Sequence, residues 1–266
     1  GVLSLRSLAD ARALRAALGD ARSAVVVGSG FIGCEAATSL ARLGLDVALV
    51  TTEAAPQETR LGPGAAERIA GWLRAEGVDL RSSSTLRGIE AVDGRLVVAA
   101  GGDPIAADLV LLATGIVPLT DVAQQAGLTL ADGRIRVDAG MRTHADGVFA
   151  AGDAVLADNA AAGRPLAVEH WDDAAAMGRI AGLNAAGQAD QWAGVPGFWT
   201  QIGDNWLQYA AWGDGCDESR LVEHGADSFT VWYSRAGRLV GVLTCAADED
   251  YERGIELIAS GAPAPV

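Results

Sequence analysis

The sequence predicts an α/β fold built around a parallel sheet. Residues 23–27 and residues 46–50 are two short, apolar runs typical of buried strands. The segment 31–43 between them carries apolar side chains, Ile32 and Leu43 among them, at the spacing of one helix face. A strand, a helix and a strand within about 30 residues make a βαβ unit, so the two strands run parallel.

Periodicity and turn residues predict the other elements. In chain order these are helix 7–19 with Ser7 as its cap, helix 63–76, strands 84–91 and 95–100 joined by Asp93-Gly94, strand 108–113, helix 121–126, strands 134–138 and 147–151, helix 171–187, strands 229–234 and 238–244, and helix 248–260. The pattern changes twice along the chain. We therefore expect three domains, over residues 1–119, 120–190 and 191–266, the last a small α+β module that is rich in tryptophan.

Composition excludes several classes of function. The chain has 266 residues and a formal net charge of −14, and every residue of its Lys+Arg total of 20 is arginine. Schiff-base lysine chemistry and a phosphate-loop lysine are therefore excluded, and the acidic balance disfavours nucleic acid as a partner. The three histidines lack the spacing of metal ligands, so we expect no metal site.

Cysteine usage and hydropathy indicate the compartment. Cys34, Cys216 and Cys245 are far apart and odd in number, which favours a reduced, cytoplasmic setting over a disulfide framework. No apolar run reaches the length of about 18 residues that a membrane span needs, and no secretory leader pattern opens the chain, so we expect no membrane association.

One motif carries most of the functional prediction. Gly28-Ser29-Gly30-Phe31-Ile32-Gly33 reads G-x-G-x-x-G and lies between the strand and the helix of the βαβ unit. In this Rossmann-like context the first glycine allows the tight turn, the second lets a pyrophosphate approach, and the third lets helix and strand pack closely. The helix N-terminus then binds the phosphates. The alternative is a glycine-rich turn kept for packing alone.

The end of the second strand indicates which nicotinamide cofactor is bound. An acidic side chain there holds the ribose hydroxyls of NADH, whereas a basic one holds the 2′-phosphate of NADPH. Thr51 and Thr52 are followed by Glu53, which lies 20 residues after Gly33, and no arginine occurs between the end of the strand and Arg60. NADH is favoured, although a threonine hydroxyl at the strand end neither requires nor repels the extra phosphate.

Further motifs resemble a known family. Residues 143–154, ending in Ala151-Gly152-Asp153-Ala154, are similar to the second flavin motif of the FAD-dependent pyridine nucleotide-disulfide oxidoreductases. Residues 113–118 look like the connector of that superfamily. Glu169-His170-Trp171 and residues 197–201 resemble the branch that contains ferredoxin, rubredoxin and putidaredoxin reductases.

The fingerprint and the resemblance together imply cofactor contacts at Gly28, Ser29, Gly30, Phe31, Ile32, Gly33, Glu35, Thr51, Thr52, Glu53, Thr114, Gly115, Gly152, Asp153, Glu169, His170 and Trp171. By resemblance, Phe31 covers the nicotinamide pocket, Glu35 reaches the nicotinamide carboxamide, and Asp153 accepts a ribityl hydroxyl of FAD. The helix that starts at Trp171 would direct its N-terminal amides at the flavin. The resemblance requires no side chain as general acid or base. Cys34 is predicted to be a packing residue, because it has no partner cysteine nearby.

The chain departs from the family in one respect. The family carries a first G-x-G-x-x-G for the ADP half of FAD, and this chain holds only the later one. Residues 1–119 then correspond to the NAD(P)H-binding domain, 120–190 to the C-terminal part of the FAD-binding domain, and 191–266 to the small reductase domain. We expect weak FAD binding, or none, by this chain alone, together with exposed apolar surface and hence self-association, as a homodimer or by domain swapping.

The resemblance implies a flavin-dependent oxidoreductase that passes hydride from NAD(P)H to FAD and electrons on to a small iron–sulfur or rubredoxin-type protein. Residues 191–266 hold 4 arginines against 11 acidic residues, so docking of an acidic ferredoxin needs an arginine cluster elsewhere. The alternative is a non-catalytic NAD(H)-binding sensor or interaction module. A simple NAD dehydrogenase is disfavoured, since the chain lacks a Tyr-x-x-x-Lys constellation.

Overall fold

The computed structural model describes residues 1–265, which form two compact units. The first unit consists of Gly1–Gly115 and Thr200–Trp206. The second unit holds the rest of the described chain. Within residues 1–265, none of the helices combines the length and the apolar character that crossing a membrane demands.

The first unit is an α/β structure with a five-stranded parallel sheet and a separate three-stranded sheet. Its elements are β1 (Val2–Ser4), α1 (Leu8–Ala17), β2 (Ser23–Val27), α2 (Phe31–Arg42), β3 (Asp46–Val50), α3 (Glu58–Ala75), β4 (Asp79–Arg81), β5 (Gly88–Val92), β6 (Arg95–Ala99), β7 (Ile105–Ala107) and β8 (Leu109–Leu112). The main sheet has the strand order β1-β8-β2-β3-β4, with every neighbouring pair parallel, and the three-stranded sheet has the order β5-β6-β7. The predicted α/β class is therefore confirmed.

Helix α2 packs on the sheet through small side chains. Its buried residues are Gly33, Cys34, Ala36, Ala37, Thr38 and Leu40. The predicted apolar face was partly wrong, because Ile32 is 48% exposed and Leu43 is 65% exposed. Small residues let the helix axis approach the strands closely, and that packing outweighs the burial of two larger side chains on a neighbouring face.

Several boundaries in the first unit differ from the prediction. Helix α3 consists of two helical segments that meet at a kink at Gly62, whose φ of +75° and ψ of 170° are not helical. The predicted helix over residues 63–76 corresponds to the second segment, and the first segment, which begins at Glu58, was missed. Strands β1, β4 and β7 were missed; each has three residues, too few for a periodic pattern. The turn Asp93-Gly94 between β5 and β6 is confirmed, with φ of 48° and 80° at its two residues.

The second unit contains two further sheets. Its elements are α4 (Asp121–Gln125), β9 (Leu130–Ala131), β10 (Arg134–Val137), a 3₁₀ turn (Gly152–Ala154), β11 (Val155–Asn159), β12 (Arg164–Leu166), α5 (Trp171–Ala185), β13 (Gly197–Ile202), β14 (Asn205–Ala211), β15 (Glu218–Glu223), β16 (Phe229–Arg235), β17 (Arg238–Cys245) and α6 (Asp248–Ser260). One sheet has the order β12-β11-β10-β9, and the other β13-β14-β17-β16-β15. The end of β13, the turn after it and the start of β14 (Thr200–Trp206) belong to the first unit, although the rest of both strands lies in the second.

The predicted helices α4, α5 and α6 and the β16–β17 hairpin are confirmed, whereas the predicted strand over residues 147–151 is wrong. That segment makes one isolated bridge, between Arg142 and Phe149. It folds back on the residues just before it, where the amide of Ala150 donates to the carbonyl of Met141. The next ladder starts only at β11, after the 3₁₀ turn, so the apolar run Val148–Ala151 lies in a loop rather than a sheet.

Candidate functional site

The glycine turn joins β2 to α2 in the first unit. Gly28 has a φ of +104°, and a Cβ atom built there would lie 2.3 Å from the carbonyl oxygen of Ala113. A Cβ atom at Gly33 would lie 1.9 Å from the carbonyl oxygen of Gly28. Neither position accepts a side chain, and the close backbone packing expected of the first and third glycines is present.

Gly30 lies in a different environment. Its φ of −60° suits any residue, and among the described residues, apart from its chain neighbours and the backbone of α2, the one atom within 4 Å of a Cβ built there is Nε2 of Gln57, at 3.9 Å. Gly30 is the N-cap of α2, and no side chain caps that helix end. Open space therefore lies beside amides at the positive end of a helix dipole. This geometry fits a diphosphate group.

A buried polar network supports the turn. The hydroxyls of Ser29 and Thr51 lie 2.6 Å apart, and the Ser29 hydroxyl also donates to Oε2 of Glu53 at 3.2 Å. The side-chain amide of Gln57 donates to the carbonyl of Ser29 at 2.8 Å. Gln57 is a supporting residue that sequence reasoning missed. Its left-handed backbone, with φ of 65°, and its contact 28 positions away leave no local signal in the sequence.

Glu53 is held by the start of α3. The amides of Thr59 and Gln57 donate to its two carboxylate oxygens at 2.8 and 3.1 Å. Burial raises the pKa of Glu53, but the hydrogen bonds from Thr59, Gln57 and Ser29 outweigh it and lower the pKa below its ordinary value. A fixed negative charge therefore stands just past the end of β3. Thr52 beside it is exposed, and Thr51 is buried.

The start of α2 brings together two more of the predicted residues. The guanidinium of Arg60 lies 5.8 Å from the ring centre of Phe31. Oε1 of Glu35 accepts hydrogen bonds from the hydroxyl of Thr200 and, at 3.2 Å, from the amide of Gln201. Thr200 belongs to the first unit and is a second residue whose contact sequence reasoning missed, because 165 positions separate it from Glu35.

Cys34 is a packing residue, as predicted. It is fully buried in α2, and its thiol donates to the carbonyl of Ser29 at 3.4 Å. Burial, reinforced by the charges of Glu35 and Glu53, raises the pKa of the thiol to about 12. The reactive thiolate is therefore disfavoured at neutral pH.

The segment after β8 carries Thr114 and Gly115, and both are exposed. The amide of Ala113 donates to the carbonyl of Val27, which ties this segment to the glycine turn. Gly115 has a φ of +99°, which a glycine adopts without strain. The apolar side chains that follow are mostly exposed, with Val117 and Leu119 above 80%.

The second unit brings the other predicted residues together around the N-terminus of α5. Gly152, with φ of +80°, opens the 3₁₀ turn that holds Asp153, and a Cβ built on it would contact Cβ of Ala174 in α5 at 3.5 Å. The backbone at Gly152 therefore lies close to α5. His170 is the N-cap residue of α5, and its Nδ1 lies 3.2 Å from Oδ2 of Asp173.

The helix start also carries an aromatic group. The ring of His170 lies 4.6 Å from that of Phe198. Trp171 is 77% exposed and packs edge-on against Trp199, with ring centres 6.5 Å apart. Glu169, just before the helix, pairs with Arg134. The side chain of the N-cap residue His170 makes no capping hydrogen bond, so the first amides of α5 can meet an anionic or electron-rich ring edge.

A parallel sheet with a glycine turn at a helix N-terminus is the arrangement typical of dinucleotide-binding α/β folds. The comparison with known families identifies it further: residues 1–178 match the pyridine nucleotide-disulphide oxidoreductases, and the chain belongs to that family. Within it, the chain falls in the FAD-dependent, ferredoxin reductase-like branch.

Two curated proteins are similar to nearly the whole of this chain. The chain is 34% identical over 263 residues to the anthranilate 1,2-dioxygenase system ferredoxin–NAD(+) reductase component of Burkholderia cepacia, covering 97% of this chain and 64% of that protein. It is 32% identical over 267 residues to apoptosis-inducing factor 3 of Mus musculus, covering 98% of this chain and 44% of that one.

A solved structure shows the same fold. The ferredoxin reductase for the CYP199A2 system from Rhodopseudomonas palustris superimposes with a TM-score of 0.89 at 28% identity, over 98% of this chain and 65% of that chain. The chain thus spans between 44% and 64% of the length of these two curated relatives.

Proposed function

We propose that this chain is the NAD(P)H-binding and C-terminal portion of an FAD-dependent oxidoreductase. In the intact enzyme, hydride passes from NAD(P)H to FAD, and electrons then pass to a small redox protein. The observation that carries the proposal is the glycine turn. Gly28 and Gly33 are sterically closed, whereas Gly30 borders open space at an uncapped helix N-terminus.

The chain's residues supply binding and orientation. The amides at the start of α2 hold the diphosphate over Gly30, with Ser29 and Gln57 fixing the loop beneath it. Phe31 and Glu35 hold the nicotinamide end, Glu35 as acceptor for the carboxamide. When bound, the nicotinamide and the flavin supply the hydride donor and acceptor. No side chain of the chain is assigned an acid–base step.

NADH is the preferred nucleotide in this proposal. The ionised carboxylate of Glu53 lies past the end of β3, where it attracts ribose hydroxyls and repels a 2′-phosphate. The first arginine after the strand, Arg60, has its guanidinium near the ring of Phe31. Thr52 is free to contribute a hydroxyl, being exposed at the same strand end.

The domains follow the resemblance. Residues 1–119 bind NAD(P)H, residues 120–190 form part of the FAD site through Gly152, Asp153 and the start of α5, and residues 191–266 form the reductase-type domain. Thr114 and Gly115 form the connector between the first two. Because the chain lacks the first glycine motif of the family, it binds FAD weakly when alone.

The proposed electron acceptor is a small iron–sulfur or rubredoxin-type protein. The relative from Burkholderia cepacia is a ferredoxin reductase component by its name, and the structural neighbour from Rhodopseudomonas palustris is a ferredoxin reductase. The three free cysteines fit a reducing compartment, and we place the protein in the cytoplasm. The exposed apolar segment after Gly115 supports self-association as a homodimer.

The test of the proposal is electron transfer. The chain is mixed with FAD and a segment that carries the family's first glycine motif, and NADH oxidation is followed with a ferredoxin as acceptor. We expect NADH oxidation that requires both the chain and FAD. Nucleotide binding without electron transfer in this mixture would favour a non-catalytic NAD(H) sensor. The flavin absorbance of the chain purified alone is expected to be far below one FAD per chain, and stoichiometric flavin would contradict weak binding.

A further inference from the structure

One face of α2 is lined by a short segment of distant sequence. Glu35, Thr38 and Arg42 are spaced by three and four residues, which places them along a single face of the helix. Residues 200–204, which form the end of β13 and the turn after it, contact all three of these side chains. Both partners belong to the first unit.

The far end of this contact is anchored by charge. The amide of Gly203 donates to the hydroxyl of Thr38 at 3.4 Å. Arg42 pairs with Asp204 at 2.8 Å, and its Nε also donates to Glu76 at 2.8 Å. These bonds fix the segment against the helix, so the position of Thr200 at its near end is set.

The near end holds the carboxylate of Glu35. Thr200 is 1% exposed, and its hydroxyl donates to Oε1 of Glu35, which also accepts from the amide of Gln201 at 3.2 Å. Both bonds reach the same oxygen. A carboxylate offers about four acceptor sites, so Oε2 remains able to accept from a further donor such as an amide N–H₂ group.

We propose that Thr200 is a positioning residue for the nicotinamide end of the cofactor: it fixes the rotamer of Glu35 so that the carboxylate meets the carboxamide of NADH. The inference rests on the proposed function, because it needs NADH bound across the glycine turn. It predicts that Thr200 contributes to binding of the nicotinamide ring and not of the ADP-ribose part.

The experiment is calorimetric titration of the chain with NADH and, separately, with ADP-ribose, which lacks the nicotinamide. Thr200→Val removes the hydroxyl at nearly constant volume, and Thr200→Ser keeps the hydroxyl as the matched control. We expect Thr200→Val to weaken NADH binding about fivefold, the effect of one hydrogen bond, with ADP-ribose binding unchanged. Thr200→Ser should bind both ligands as the native chain does. Should the valine variant not fold, Thr200→Ala replaces it with the same expectations.

A double-mutant cycle tests whether Thr200 acts through Glu35. In the Glu35→Ala background, Thr200→Val should have no further effect on NADH affinity. The positioning role would be overturned if Thr200→Val weakened the binding of NADH and of ADP-ribose equally. It would also be overturned if Thr200→Val weakened NADH binding as much in the Glu35→Ala background as in the native chain. Either result would leave the proposed function intact. A native chain that binds neither ligand would instead refute the proposed function itself.

Discussion

A Cβ atom built on Gly33 would lie 1.9 Å from the carbonyl oxygen of Gly28, so the backbone of the first glycine in the turn excludes any side chain at the third. Gly33 is also buried in the face of α2 that packs on the sheet. The contact makes this glycine a requirement of folding, separate from any requirement of cofactor binding.

Gly33→Ala is therefore expected to destabilise the chain by about 1–3 kcal/mol, since the added methyl group forces the helix away from the strand. The free energy of unfolding in urea measures this effect. Gly71→Ala is the matched control, because Gly71 lies in α3 with nothing within 4 Å of its Cβ position, and alanine there should stabilise the helix by up to about 1 kcal/mol. An unchanged unfolding midpoint for Gly33→Ala would contradict the tight contact.

Cofactor preference is expected to depend on Glu53. Glu53→Gln removes the negative charge at the end of β3, so the affinity for NADPH should rise relative to that for NADH. Titration of the variant with both nucleotides gives the ratio of their dissociation constants. Glu67→Gln removes the same charge from an exposed position of α3 and should leave the ratio unchanged. If Glu53→Gln also left the ratio of the two dissociation constants unchanged, Glu53 would have no role in selecting between NADH and NADPH.

Stability at low pH is expected to depend on Asp108. The amides of Arg22 and Ser23 donate to its Oδ2 at 2.8 and 2.9 Å, and the bond from Arg22 comes first among the interactions that lower the pKa of this carboxyl. A lowered pKa in the folded state means that the stabilisation is complete above the ordinary value of about 3.9 and is lost as the pH falls through the folded-state pKa.

Urea unfolding between about pH 6 and pH 2.5 should therefore show a stability difference between the native chain and Asp108→Asn that shrinks as the solution is acidified below about pH 4. Asp103→Asn, at a nearby exposed position, serves as the control. A difference that stays constant over this range would mean that the carboxylate charge of Asp108 is not the group that titrates.

Self-association is expected to depend on the segment after Gly115. Val117, Leu119 and Val122 are exposed by 82%, 86% and 82%, which makes an apolar surface that water solvates poorly. The double variant Val117→Ser/Leu119→Ser should shift sedimentation towards the monomer. Leu8→Ser replaces a comparably exposed leucine of α1 and should not alter the oligomeric state. An unchanged distribution in the double variant would place any dimer contact elsewhere.

The local part of the structure could be predicted from the sequence. The β2–turn–α2–β3 unit follows from apolar runs, a helical period and three glycines, all within one short segment. Helix α6 was placed at its observed bounds, because acidic residues open it and Gly261, with φ of +65°, closes it. Where residues close together in the sequence determine the structure, the sequence pattern is sufficient to predict it.

The rest depends on contacts between distant segments. β1 has three residues and exists because it pairs with β8, Leu3 lying opposite Leu111. Gln57 lies 28 positions along the chain from its partner Ser29, and Thr200 lies 165 positions from its partner Glu35. Sequence periodicity does not reveal such contacts. The apolar run at residues 147–151 shows the opposite case, since it resembles a strand but forms only one isolated bridge, between Arg142 and Phe149.

The central claim is that a dinucleotide lays its diphosphate beside Gly30. Gly30 has an unstrained backbone and open space at its Cβ position, so Gly30→Ala should fold normally while its methyl group occupies the space of a phosphate oxygen. The decisive measurement is calorimetric titration of the native chain and of Gly30→Ala with NADH. The account predicts binding by the native chain that is weakened at least about tenfold in the variant, with equal unfolding free energies for the two proteins. Equal NADH affinity in both proteins, or no binding by the native chain, would contradict it.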